Sequence, residues 1–232
     1  MHSFYEPNAI SHARLELNEQ EATHAVKVLR LRDGDRITLL DGRGNTLDGD
    51  LEFQGKHVWV NTGPATFHPP SGMRLELAIA PTKNADRTEW VVEKAVEIGV
   101  QAISLIRCAH SERAHLRLDR LERLVIAAMK QSRKYYLTEL HDIINLEDWL
   151  QGRESASMAI AHCNTEIPRI PLIQWTPATD NCAMLIGPEG DFSPEEIQRV
   201  LDCGGASVHL GHERLRTETA ALVAVSTFAW KR

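Results

Sequence analysis

Two glycine-bearing segments near the C-terminus concentrate the residue types able to do chemistry in this 232-residue chain. The first, LIGPEGDF at 185–192, carries an apolar run into Gly187-Pro188-Glu189-Gly190 and then a helix start. Gly187 and Gly190 admit close backbone approach to a ligand, Pro188 stiffens the turn, and Glu189 adds fixed negative charge. The pattern is not GxGxxG and lacks the lysine of a phosphate loop, and an acid between the glycines is unsuited to pyrophosphate. Taken alone, it reads equally as an ordinary strand-to-helix turn. The second segment, HLGHERLRTETAALVAVSTF at 209–228, ends a strand at Leu210-Gly211. It then crowds Glu213, Arg214, Leu215, Arg216, Thr217, Glu218 and Thr219 at the start of a helix rich in small residues such as Ala220 and Ala221. Capping by Thr217 or Thr219, with Glu218 complementing the helix dipole, explains one or two of these residues but not their density.

A third feature is cationic. Arg113, Arg117, Arg120, Arg123, Lys130, Arg133 and Lys134 fall within 22 residues, opposed only by Asp119 and Glu122. On a helix whose apolar face is Leu121, Leu124, Val125 and Ala128, they form a basic outer face, and Tyr135 and Tyr136 follow as candidates for base stacking. A solvated surface is the ordinary reading of such a charge run. Net charge is −6, divided as −3 (7 Lys+Arg against 10 Asp+Glu) before residue 71 and −3 (19 against 22) after it. Bulk charge therefore gives no sign of nucleic acid, and a polyanion would have to be held by local patches.

Other chemistries find little support. The 11 histidines are scattered and none forms HExxH, so no metal is expected; there is no G-x-S-x-G, and no triad is evident. The four cysteines are widely spaced without a CxxC, which argues against a disulfide framework or zinc site and suits a reducing cytoplasm. No apolar run approaches the length of a membrane span, and the N-terminus lacks the basic-then-apolar pattern of a signal peptide.

The elements that must position these residues fall into two parts. Residues 1–70 read as short strands and turns: Arg36–Leu40, Leu47–Phe53 and His57–Val60, with turn signals at Asp33-Gly34 and Asp41-Gly42. A short helix near Glu19–Val28 interrupts this small barrel, and Pro64, Pro69, Pro70 and Gly72 mark its end. From residue 73 onward strands alternate with helices. Strands are expected at 74–81, 102–107, 156–163, 182–187 and 207–211. A helix capped by Asp86 ends at Gly99, a longer one starts near Leu116, Ser193-Pro194-Glu195-Glu196 opens another with a capping box, and a last one runs from Thr217 to Trp230. This alternation predicts an α/β domain with a mostly parallel sheet, where ligands bind at the carboxyl ends of strands.

The ordered set of segments is more specific than any one of them. IGPEGDFSPEEI followed by LGHERLRTETAA resembles the C-terminal signature of the SPOUT methyltransferases, in the form found in the RsmE family. IAPTKNADRTEWVVEKAVEIGV and SERAHLRLDRLERLVIAAMKQSRK are similar to that family's middle segments, and THAVKVLRLRDGDRITLLDGRGN to its PUA-like RNA-binding barrel. The chain departs from the family at Lys130-Gln131-Ser132-Arg133, where many relatives carry Glu-Gln-Ser-Gly, and at Asp191, where they carry a second glycine after PEG.

The resemblance implies a PUA-like barrel over residues 1–70 and a SPOUT trefoil-knot domain over 73–232, paired as a homodimer in the cytoplasm. It implies S-adenosylmethionine as methyl donor, 16S ribosomal RNA or the small ribosomal subunit as partner, and a uridine N3 as target. Leu185, Gly187, Pro188, Glu189, Gly190, Leu210, Gly211, Leu215, Thr217, Thr219 and Ala220 would hold the cofactor, with His162 near the same pocket or in the core. Arg216 and Glu218 would be catalytic, Glu189 being a second candidate base. Arg30, Arg32, Arg113, Arg120, Arg123 and Arg133 would contact RNA. The alternatives are a SPOUT enzyme acting at another RNA position, or a non-catalytic RNA-binding assembly factor.

Overall fold

A computed structural model describes residues 2–70, 72–113, 115–153 and 157–230. The chain forms two compact units, one of Met1–Ser71 with Met129–Leu137, the other of Gly72–Ala128 with Thr138–Arg232.

The first unit is a five-stranded sheet of order β1-β3-β4-β5-β2, built from β1 (His2–Tyr5), β2 (Arg14–Glu16), β3 (Arg36–Leu40), β4 (Asn45–Gln54) and β5 (His57–Phe67). β1 runs parallel to β3 and the other pairs are antiparallel. Ile37 and Leu39, Leu47 and Leu51, and Val58 and Val60 alternate inward and bury completely with Phe4. β5 outruns the expected HVWV by seven residues and passes through Pro64. The reason is a bulge: between the pairs Leu47–Ala65 and Gly49–Thr62 the single residue Asp48 faces both Gly63 and Pro64. Proline is tolerated there because a bulge leaves a ladder position unpaired. The expected helix divides into α1 (Glu19–Thr23), capped by Asn18, and a π-helical turn at His24–Val28. Buried Glu21 takes an ion pair from Lys130, 2.6 Å away.

The second unit carries a seven-stranded sheet of order β10-β12-β9-β11-β6-β7-β8, and every pairing among its described strands is parallel. Its strands are β6 (Arg74–Ile79), β7 (Ala102–Arg107), β8 (Glu139–Asn145), β9 (Ser157–Ala161), β10 (Ile170–Pro171), β11 (Asn181–Ile186) and β12 (Ala206–His209). Its helices are α2 (Ala85–Ile98), α3 (Leu118–Gln131, whose last residues belong to the first unit), α4 (Leu146–Leu150), α5 (Pro194–Asp202) and α6 (Thr217–Ala229). The central strands β6, β7, β9 and β11 are apolar almost throughout because both sheet faces are covered. Ala156, where β9 was expected to begin, lies outside the described residues.

Two capping assignments are corrected. α2 is capped by Asn84, whose side chain accepts from the Asp86 N–H, so Asp86 sits in the first turn instead. α6 begins after Arg216, which makes no side-chain cap, so neither Thr217 nor Thr219 is the N-cap. Gly99 does close α2, at φ 112°, and Ser193 with Glu196 forms the full capping box of α5. β8 and α4 have no counterpart in the sequence reading: β8 is an edge strand with most residues exposed, so it lacks the apolar run that marks a buried strand.

Candidate active site

Three strand ends and one helix start enclose a cavity of about 390 Å³ in the second unit. β11 delivers Ile186, Gly187, Pro188 and Glu189; β9 delivers Ala161, His162 and Cys163; β12 delivers His209, Leu210 and Gly211. Leu215, Arg216, Thr217 and Ala220 close it from the start of α6, and Arg87 reaches it from α2. The two glycine-bearing bends, 24 residues apart in sequence, therefore wall one cavity at the carboxyl edge of the parallel sheet.

The bends are built differently. At Gly187 a Cβ would lie 3.0 Å from the Phe192 ring, and at Gly190 it would lie 2.9 Å from the His110 Cβ. Gly190 is thus required by packing within the protein and is not on the cavity wall, whereas at Gly187 a side chain would need the Phe192 ring to yield slightly. Gly211 has φ 138° with open space where a side chain would be, so there it is the backbone conformation that calls for glycine. Asp191 stands at φ 64°, in the left-handed region that Asp tolerates better than most residues. Its Oδ2 accepts the Cys163 N–H at 2.7 Å and so ties the end of β9 to the bend after β11. This is how the bend accommodates an aspartate in the left-handed region.

Leu185 is fully buried in the core with Ala78, Met158 and Ile160, and its neighbour Ile186 lines the cavity instead. Adjacent residues of a strand face opposite sides of the sheet, so only one of the two can reach the wall. Thr219 lines a separate apolar groove with Trp90, Ile173 and Trp230. Glu189 lines the cavity while its Oε1 accepts the Lys83 N–H at 3.0 Å. Glu218 is buried next to the wall; Oε1 lies 3.6 Å from Arg87 Nη1 and Oε2 has no hydrogen-bond partner.

His162 combines the two roles left open for it. It is only 4% exposed, yet it lines the cavity. Its Nε2 lies 2.7 Å from Ser207 Oγ, and its Nδ1 is buried without a partner. Burial, with a smaller contribution from Arg169, pushes the imidazole below its ordinary range against the opposing pull of Asp191.

Arg87, Arg169, Asp191, His209 and Arg214 are wall residues that sequence reasoning did not select. Arg87 lies far along the chain from both bends, and a single arginine such as Arg87 or Arg169 leaves no local signature. Asp191 did leave one, as a departure from the glycine pattern.

The basic stretch is less free than its sequence suggests. Arg113 donates to the Thr82 and Lys83 carbonyls, Arg120 pairs with Glu89 at 2.7 Å, and Arg123 pairs with Asp119 at 2.9 Å. Tyr135 stacks on His68 with centroids 3.7 Å apart, and Tyr136 donates to the His68 carbonyl, so both tyrosines have protein partners. Arg30, Arg32 and Arg133 form no ion pair among the described residues; Arg30 and Arg133 take positive φ of 55° and 54°. No group of three His, Cys, Asp or Glu among the described residues is placed to hold a metal ion.

Comparison with known proteins agrees with this geometry. Residues 69–229 match the model of the RNA methyltransferase domain, and residues 17–60 that of the RNA methyltransferase PUA domain. The chain belongs to the RNA methyltransferase family. Ribosomal RNA small subunit methyltransferase E of Bacillus subtilis is 23% identical over 91% of this chain and 88% of its own. The namesake from Mesomycoplasma hyopneumoniae is 31% identical over 66% and 67%. A crystal structure of a "probable rRNA-methyltransferase" from Porphyromonas gingivalis superposes with TM-score 0.88 at 37% identity, covering 100% of both chains. The ribosomal RNA small subunit methyltransferase E of Neisseria gonorrhoeae, bound to S-adenosyl methionine, superposes with TM-score 0.84 at 27% identity over 97% and 96%. The architecture is thus that of the SPOUT methyltransferases: a PUA domain followed by a parallel-sheet domain.

Proposed function

We propose that this chain transfers a methyl group from S-adenosylmethionine to the N3 of a uridine in 16S ribosomal RNA, as free RNA or within the small subunit. The observation that carries this reading is the shared cavity of Gly187 and Gly211 at the carboxyl ends of β11 and β12. The residues fit the cofactor. The open space over Gly211 admits a planar group, Ile186, Leu210 and Leu215 offer apolar wall, and both signs of charge are present to meet a zwitterionic tail. His162 and His209 each leave a buried Nδ1 in need of a partner. When bound, the cofactor supplies an electrophilic methyl group on a sulfonium.

The chain's own task is to orient the base and manage one proton, since uracil N3 is a poor nucleophile while protonated. Arg216, on the wall at the start of α6, stabilises negative charge developing on a uracil oxygen. Glu218 is assigned as proton acceptor, its Oε1 held by Arg87 and its Oε2 free. Arg30, Arg32 and Arg133 are the assigned RNA contacts. For Arg113, Arg120 and Arg123, contact with RNA would require sharing or exchanging their present partners. The apolar groove of Trp90, Ile173 and Trp230 beside α6 is assigned to a homodimer contact.

Mass spectrometry of 16S RNA nucleosides from cells with and without the gene tests the activity. 3-Methyluridine should disappear with the gene and return when purified protein and S-adenosylmethionine are added to the undermethylated subunits. Persistence of that nucleoside without the gene would refute the assigned target.

A further inference from the structure

We propose that His162 is a cofactor-positioning residue whose Nδ1 hydrogen-bonds a neutral group of the nucleoside half of S-adenosylmethionine. This rests on the cofactor reading above and adds a residue to it.

The argument starts from an unsatisfied atom. Buried polar atoms in folded proteins nearly always have partners, because leaving one unpaired forfeits its hydration without return. His162 is 4% exposed and its Nδ1 makes no hydrogen bond of ordinary geometry; the nearby Asn164 carbonyl exerts only the weakest of the influences on the ring. The ring is not free to turn away. Its Nε2 is held by Ser207 Oγ at 2.7 Å, and its backbone carbonyl accepts from Arg169 Nη1 at 2.6 Å. His162 lines the cavity, its Nε2 is taken by Ser207, and Nδ1 is the ring nitrogen without a partner.

The strand register explains the placement. β12 runs beside β9 with Val208 opposite Ala161, so His209 and His162 follow at neighbouring strand ends. Both line the cavity, and both leave Nδ1 buried and unpartnered. Two neighbouring strand ends that each withhold a nitrogen are better explained by a ligand than by two independent packing defects.

The chemistry selects the half of the ligand. The charged groups acting on the imidazole are Asp191, from the bend after β11, and Arg169, from the segment before β10; burial outweighs Asp191 and favours the neutral ring. A neutral imidazole nitrogen suits a ribose hydroxyl or an adenine edge, whereas the charged amino-acid tail is better met by the arginines and carboxylates of the wall.

Isothermal titration of the full-length protein with S-adenosylmethionine and with S-adenosylhomocysteine tests this, using His162→Asn and His162→Gln. Asparagine places a polar atom where Nδ1 stood; glutamine places one where Nε2 stood. The expected result is that His162→Gln weakens both ligands roughly tenfold or more, while His162→Asn retains most of the affinity. Wild-type affinity in both variants, or tighter binding by His162→Gln than by His162→Asn, would overturn the assignment and leave His162 a core residue. If the variants fail to fold, imidazole ¹⁵N spectra of wild-type protein decide. The His162 Nδ1 resonance should move on adding S-adenosylhomocysteine, and an unmoved resonance in the saturated protein overturns the proposal. Failure of the wild type to bind either ligand would instead remove the cofactor reading itself.

Discussion

At the scale of single residues, the most telling side chains are those whose charge is held in place by others. Arg216 lines the cavity at the start of α6 and makes no side-chain cap, and its proposed role is to meet the substrate. Arg216→Ala should lower kcat by about 10²–10³-fold while changing S-adenosylmethionine affinity little, measured by single-turnover methylation and titration side by side. Equal losses in both would make it a binding residue only. Glu218→Gln should depress turnover by about 10²-fold or more and leave cofactor affinity intact if its free oxygen takes the imide proton.

Glu76 is a structural counterpart. Burial opposes its ionisation, but hydrogen bonds from Arg153, Ser104 and Trp149 outweigh this and hold the carboxyl below its ordinary 4.5. A depressed carboxylate stabilises the fold above the unfolded-state value, and that contribution disappears as pH falls through the folded-state value. Thermal melts should therefore show wild type more stable than Glu76→Gln at neutral pH, by about 1–3 kcal/mol. The gap should close as the pH drops below 4.5. A gap that stays constant to low pH would contradict the assignment.

At the scale of elements, local chemistry wrote some boundaries plainly and others not at all. The capping box of α5 and the glycine stop of α2 were legible because each is a contiguous pattern with one geometric solution. The start of α2 was misplaced by two residues, because Asn84 and Asp86 both suit a cap and only the tertiary path of the preceding loop chooses between them. In urea denaturation, Asn84→Ala should cost about 0.5–2 kcal/mol, and Asp86→Ala less, since it removes only a dipole interaction. The reverse order would restore Asp86 as the cap. β8 and α4 were missed because an exposed edge strand and a five-residue helix carry too little periodicity to register. The basic face of α3 and its own Asp119 were visible in sequence, but the pairing of Arg120 with Glu89 was not, because that partner comes from another helix.

At the scale of the whole molecule, the apolar groove beside α6 bears on assembly. Ile173 is 73% exposed and Trp230 is 89% exposed, next to Trp90 at 44%. Clustered apolar exposure of this kind marks an association surface more often than free surface. Light scattering should find twice the 26.1 kDa chain mass for the proposed homodimer, and Ile173→Asp should shift it to the monomer. A monomeric wild type at micromolar concentration would refute the homodimer.

What the amino-acid order determined by itself was the division into a barrel and an alternating α/β part, the buried strands and longer helices of the second, the two bends worth suspecting, and the family resemblance that joins them. These are local or ordered properties, written in spacing and residue type. Tertiary structure alone decided that Ile186 and not Leu185 faces the cavity, that Gly190 serves His110, and that Arg87, Arg169 and His209 stand on the wall. The physical reason is the same in each case. A parallel sheet assigns side chains to faces by register, and its crossovers bring residues a hundred positions apart to neighbouring strand ends, a convergence that no window along the chain contains.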